Sequence, residues 1–168
     1  MDSTLRALAG IPGLYSLMAF LSARRVVIRG WSMSPTLAPG EHVLFDRIAY
    51  RLGPPGRGDV VLVRHPARPG LRLVKRLAAL PGDAVVIADD RCWVNGLPWV
   101  AEAAPPDVGE PPGEPRILAA DEYLLLGDAL PFSTDSRQLG PVSRRSIQAR
   151  AWMVYWPRRA MRNISGES

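Results

Sequence analysis

One cysteine and two histidines are all the soft or imidazole ligands that 168 residues provide. A structural zinc site of four Cys/His ligands cannot be assembled from Cys92, His42 and His65, and Cys92 has no second cysteine with which to form an intramolecular disulfide. A Ser-His-Asp triad would have to recruit His42 or His65, each at the end of an expected strand, where a satisfied surface histidine is the ordinary case. Cys92, between Arg91 and Trp93, reads as a packed thiol. Long apolar runs are also scarce. The best is Ala7 to Ala23, seventeen uncharged residues interrupted by Gly10, Pro12 and Gly13. That is the lower limit for a membrane span, since about twenty residues match a hydrocarbon core of roughly 30 Å. No internal repeat is evident, and no nucleic-acid recognition motif accompanies the net charge of +5. The charge and the basic Arg158, Arg159 and Arg162 therefore suit an anionic membrane surface or a merely solvated face, and no nucleic-acid partner is expected.

Turn-formers, by contrast, are abundant. Seventeen prolines and fifteen glycines break the chain too often for long helices, while the apolar runs between them are short and rich in valine, isoleucine and tryptophan. The length suits one core. Strands are expected at Arg25–Arg29, His42–Asp46, Asp59–His65, Leu71–Leu77, Ala84–Ala88, Arg91–Val94, Glu122–Leu126 and Gln148–Tyr155. The fold class is mainly β, a barrel or sandwich with a short N-terminal apolar helix. Asn95-Gly96 supplies the positive φ of a tight hairpin. Gly58-Asp59, Gly82-Asp83 and Gly127-Asp128 read as structural turn or strand-opening pairs rather than metal ligands. Trp152, Tyr155 and Trp156 read as core, and the proline-rich stretch from Ala103 to Pro115 as an extended surface insertion. The expected division is an apolar segment over 1–24, serving as membrane anchor or interfacial helix, a globular domain over 25–158 and a basic tail over 159–168.

The chemistry is carried by three segments. A serine hydroxyl needs a neighbouring group to take its proton during attack, and a lysine can do so only when neutral. Ser32, in Gly30-Trp31-Ser32-Met33-Ser34-Pro35-Thr36-Leu37, is one half of such a pair. Lys75, set among Leu71, Leu73, Val74 and Leu77, is the other, because apolar surroundings lower a lysine pKa. In isolation such a serine is ordinarily a turn residue and such a lysine ordinarily snorkels to water. A third segment follows in order: Gly127-Asp128, Ser133-Thr134-Asp135-Ser136-Arg137 and Gly140-Pro141-Val142.

In these three boxes the chain resembles the type I signal peptidases, serine–lysine endopeptidases that include mitochondrial inner-membrane peptidases and nickel superoxide dismutase maturation proteases. The resemblance covers most of residues 26 to 157. It implies a signal-peptidase-like catalytic fold with Ser32 as nucleophile, Lys75 as general base and Ser133 as the hydroxyl that orients the lysine amine. It further implies Asp135 and Arg137 as a supporting charged pair, whose alternative is a solvated loop pair worth little. No cofactor or metal is implied. The partner is an extended peptide segment of a precursor protein, cut after small residues one and three positions before the bond. Where the family commonly reads Gly-Asp-Asn-Arg-Asp-Asn-Ser, this chain has Gly127-Asp128-Ala129-Leu130-Pro131-Phe132-Ser133. Some relatives offer the oxyanion a hydroxyl from the residue two before the nucleophile. Here that residue is Gly30, which leaves the oxyanion mainly to backbone amides, that of Ser32 first.

The expected function is thus removal of targeting or pro-peptides at the cell membrane, with one N-terminal anchor and the catalytic domain outside. Flanking charge argues the other way, since Arg24, Arg25 and Arg29 follow the apolar segment. That keeps open a cytoplasmic or peripheral maturation protease of the nickel superoxide dismutase kind. A self-cleaving repressor-type serine–lysine regulator is disfavoured, because no DNA-reading domain precedes Ser32. An inactive membrane-surface binding module on the same fold, disabled by the altered 129–132 loop, is the alternative from outside the enzymes.

Overall fold

The computed structural model describes residues 13–99 and 109–164. The first half of the apolar segment, the start of the proline-rich insertion and the end of the basic tail lie outside those residues.

In chain order the elements are α1 (Leu14–Ser22), β1 (Arg24–Val27), β2 (His42–Asp46), α2 (Ala49–Leu52), β3 (Val60–Arg64), β4 (Arg72–Ala79), β5 (Ala84–Ala88), β6 (Arg91–Val94), β7 (Leu97–Pro98), β8 (Arg116–Ile117), β9 (Leu124–Leu126), α3 (Ser136–Leu139), β10 (Ile147–Trp156) and β11 (Arg162–Asn163). The large sheet runs β1-β2-β10-β3-β4-β9 with β11 added on β10, and the small one runs β7-β6-β5-β8. Each path ends on a strand other than its first, so of the expected barrel or sandwich the barrel does not close, and the strands form two open antiparallel sheets.

Runs without polar interruption explain the interior. Val43-Leu44-Phe45 on β2 and Val60-Val61-Leu62-Val63 on β3 are buried on successive residues, which requires cover on both faces of the sheet. One face packs Val43, Phe45 and Leu62 against Met33 and Leu37. The opposite alternation sends Val61 and Val63 to Leu77, Tyr123 and Leu125. Leu126 and Ala78 meet Val85, Cys92 and Val94, which seats the small sheet on the end of the large one.

β10 differs from the expectation. Its inward positions are Ile147, Ala149, Ala151 and Val154, while Trp152 and Tyr155 are half-buried and Trp156 is exposed. Register shifts between Ala151 and Met153 and between Val154 and Trp156 turn the aromatic residues outward. The hairpin signals hold: Asn95 and Gly96 take φ of 53° and 81° between β6 and β7. Asp89 and Asp90 take φ of 48° and 59° between β5 and β6.

Part of each end of the chain lies within the described residues. α1 has nine residues, about 14 Å at 1.5 Å per residue against roughly 30 Å of hydrocarbon. No helix among the described residues is long and apolar enough to cross a membrane. α1 is docked on the domain: the Tyr15 hydroxyl donates to Asp46, and Ala19 is buried. At the other end, Arg162 and Asn163 fall in the segment expected as a tail, yet they pair with Val154 and Met153 of β10. Arg162 donates to both oxygens of Glu41 and to the Thr36 carbonyl.

Leu62 sits at 1% exposure where the β3 interior meets the cluster holding the Ser32 segment. Leu62→Ala is expected to cost about 2–5 kcal/mol, transfer plus cavity, read as a lowered midpoint in urea unfolding.

Candidate active site

β4 places two cations side by side and points them apart, because successive strand residues face opposite ways. Lys75 goes inward, where it is 3% exposed, and its Nζ donates to Ser133 Oγ at 2.8 Å. Burial lowers its pKa from 10.5 to about 8; the charge of Asp135 partly restores it and that of Arg137 lowers it further. At that value about one tenth of the amine is neutral at pH 7.

The Ser133 hydroxyl spends its single proton on Asp135, donating to Oδ2 at 2.6 Å. Its lone pairs are thereby left to the lysine. Asp135 is the N-cap of α3 and accepts from the Arg137 backbone N–H at 3.1 Å and from the Gly127 N–H at 3.0 Å. The Arg137 guanidinium donates to both of its oxygens, at 2.9 and 3.1 Å, and their side chains are 5% and 0% exposed. Burial raises the carboxyl pKa, but these donors outweigh it and hold the group below the usual carboxylate range. Arg137 also donates to the carbonyls of Asp90 and Leu130. The altered 129–132 loop is therefore fastened by its backbone, which is indifferent to the loss of the family's polar side chains.

Gly127 has a role that turn chemistry did not predict. A Cβ there would lie 2.3 Å from Ser133 Oγ and 2.5 Å from the Ser32 carbonyl oxygen. The residue is glycine because two segments close on its Cα, not because a turn needs positive φ. The Ala129 N–H donates to the Ser32 carbonyl at 3.1 Å, completing the seam.

Arg76, facing the other way, joins all three boxes. Its Nε and Nη2 donate to the two oxygens of Asp128 at 2.8 and 2.7 Å. Nη2 also reaches Thr36 Oγ1 at 2.9 Å, and Nη1 reaches the Gly58 carbonyl at 3.0 Å. Thr36, Gly127 and Asp128 stand in the segments quoted from the sequence, Gly127-Asp128 as a structural pair, but the sequence assigned neither them nor Arg76 a part in this network. One signal was available: among 21 Lys and Arg residues, Lys75 is the sole lysine.

Ser32 is half-buried in the turn before β2 and shares with Lys75 a cleft of about 650 Å³, walled by residues 24–30 on one side and 71–74 on the other. Among the described residues no hydrogen bond joins the Ser32 hydroxyl to Lys75, whose amine is directed by Ser133. Of the flanking side chains, Met33 is in the core and only Trp31 projects, at 62% exposure. A side chain at Gly30 would meet open space. The histidines stand apart from the cleft. His65, buried rather than on the surface, accepts the Ala67 N–H, and His42 packs edge-on to Tyr155. Burial pushes the Cys92 thiol up to about 12, which makes it unreactive.

With this geometry in place, comparison with known proteins is specific. The family model for signal peptidase, peptidase S26, matches residues 2–156. A signal peptidase I of Leptolyngbya laminosa is 35% identical over 136 residues, 75% of this chain and 65% of that protein. The mitochondrial ATP-independent inner membrane protease subunit 1a of Arabidopsis thaliana is 37% identical over 131 residues, 77% of this chain and 68% of its own. A crystal structure of a signal peptidase I from Enterococcus faecalis V583 aligns with a TM-score of 0.43 at 26% identity, over 57% of this chain and 95% of that one. The chain thus spans just under two thirds of the Leptolyngbya protein.

Asp135→Ala would leave Arg137 buried without its carboxylate. A loss of about 3–5 kcal/mol is expected, measured by urea unfolding; a loss under 1 kcal/mol would show a pair as weak as a solvated one. The segments that this network ties together all lie within the matched residues 2–156, and on that match and these identities the chain belongs to the signal peptidase family, peptidase S26.

Proposed function

We propose that the chain is a serine endopeptidase of the signal peptidase I type, with Ser32 as nucleophile and Lys75 as general base. The observation that carries the reading is the buried Lys75 amine, hydrogen-bonded to Ser133 and opening on the cleft that Ser32 shares. Neutral Lys75 takes the Ser32 proton while Oγ attacks the peptide carbonyl carbon. The Ser32 backbone amide faces the developing oxyanion. The lysinium returns its proton to the leaving amine, and water, deprotonated by Lys75 in turn, releases the acyl group. Ser133 is a positioning residue: it holds the amine so that the remaining lone pair is aimed at Ser32. Asp135 and Arg137 hold Ser133.

Substrate lies extended along the cleft. β1 ends the large sheet, and residues 26–28 and 72–74 run along the two walls, so a peptide strand gains main-chain partners while its small side chains enter the floor. The peptidase domain covers residues 25–158, extended by the β11 contacts, with 1–24 as its attachment to a membrane and a precursor protein as its substrate.

Ser32→Ala and Lys75→Ala are each expected to abolish cleavage of a mixed peptide library, read by mass spectrometry, whereas the unsubstituted chain cuts after small residues. Cleavage by Lys75→Ala at the unsubstituted rate would remove lysine from the mechanism. Because burial lowers Lys75 to about 8, kcat/KM should rise with pH towards a plateau above that value and fall about tenfold per unit below it. Stability should follow the same ionisation. The charged amine is disfavoured in the folded chain, so the penalty is fully present below pH 8, shrinks as pH rises towards 10.5, and vanishes where both states are neutral. Lys75→Met should flatten that part of the stability profile.

A further inference from the structure

A second, smaller hollow of about 280 Å³ lies at the opposite end of β3 and β10 from the β11 contacts, and arginine dominates its wall: Arg24, Arg47, Arg51, Arg64, Arg144 and Arg145. No Asp or Glu lines it. Among the described residues none of these six arginines forms a salt bridge. Like charges so gathered repel one another, and a fold gains nothing by converging them unless an anion joins them.

One member of the wall is held in place. Arg144 is pinned by hydrogen bonds to the carbonyls of Ile147 and Tyr50, with its guanidinium 5.2 Å from the Tyr50 ring centre. Arg24 is partly desolvated and faces the charges of Arg72 and Arg47, which lowers its pKa. Guanidinium forks arranged around a hollow match the oxygens of a phosphate group.

Position identifies the source of that phosphate. Arg24 follows α1 after a single residue, and Arg47 follows Asp46, the acceptor of the Tyr15 hydroxyl that docks α1 on β2. On α1 itself Leu17, Phe20 and Leu21 are 54%, 52% and 75% exposed. An apolar helix face beside a basic hollow matches a lipid surface, with acyl chains against the first and headgroups in the second. We propose that this arginine hollow binds the phosphate headgroup of an anionic phospholipid. It stands apart from the peptidase reading: the hollow would bind headgroups whether or not Ser32 cleaves peptides.

The test is co-sedimentation of the full chain with phosphatidylcholine vesicles, with and without phosphatidylglycerol. Arg47→Gln, Arg64→Gln and Arg145→Gln together should reduce binding to the anionic vesicles on the order of a hundredfold, about fivefold per arginine. The comparison, Arg68→Gln, Arg91→Gln and Arg116→Gln together, changes net charge equally and should lose at least tenfold less than the hollow variant. Equal losses in the two triple variants would reduce the effect to diffuse charge and overturn the proposal; so would binding indifferent to phosphatidylglycerol. Inorganic phosphate supplies the remaining arm. If it raises the melting temperature through these arginines while vesicle binding ignores them, the hollow serves a free phosphate and the lipid assignment fails. Should the triple variant not fold, Arg64→Gln and Arg145→Gln singly carry the same comparison at about fivefold each.

Discussion

The carboxylate of Asp135 is the point on which the geometry around Lys75 turns. A charge with a fully buried side chain is tolerated only where donors surround it. Here the donors are the Ser133 hydroxyl, two backbone amides and the Nε and Nη2 groups along one edge of the Arg137 fork. Each donor brings a different piece of chain to one place: Gly127 after β9, Ser133 at the end of the altered loop, and Arg137 in α3. The carboxylate thus fixes the tautomer-like choice at Ser133. By taking the hydroxyl proton it makes Ser133 an acceptor, and an acceptor is what a buried amine needs. Desolvation of Lys75 and satisfaction of Asp135 are two sides of one arrangement, because the same burial that lowers the first would raise the second without Arg137.

Arg76 performs a parallel service outside the cleft. Its adjacency to Lys75 means that any shift of β4 moves both groups together. Its bonds to Thr36, Gly58 and Asp128 therefore tie the lysine's depth to the serine turn and to the loop that carries Ser133. Arg162 adds a further anchor on the Thr36 carbonyl and Glu41. Cationic forks do this work well because one side chain satisfies several backbone and carboxylate oxygens in a plane. The serine turn is thus fastened on the side away from the cleft, while Ser32 faces the open space.

Much of the scaffold was legible because alternation and turn chemistry are local. His42–Asp46, Ala84–Ala88 and Arg91–Val94 form at the expected residues, and Asn95-Gly96 turns as its residue types dictate. Short pairs such as Leu97–Pro98, Arg116–Ile117 and Arg162–Asn163 left no periodic trace, since two residues cannot display a period. Sheet closure was illegible for another reason: it depends on which strands meet at the ends. The outward turn of Trp152, Tyr155 and Trp156 follows from bulges that only pairing reveals. At the site, Ser32, Lys75, Ser133, Asp135 and Arg137 could be named by type and order. Thr36, Gly127 and Asp128 stood in the same segments, but their contacts could not be read, because these are steric approach and long-range hydrogen bonding between segments distant in sequence.

A chain with twenty arginines and a single lysine has only one side-chain amine, and that amine is enclosed. The consequence reaches beyond the cleft. Acylation, reductive alkylation, isopeptide tagging and aldehyde cross-linking all need an accessible primary amine, and guanidinium is a poor substrate for each. The protein's exterior therefore carries abundant positive charge while presenting no lysine side chain to amine chemistry. An acylating reagent that reaches the cleft therefore marks Lys75 without competition from any other lysine among these 168 residues.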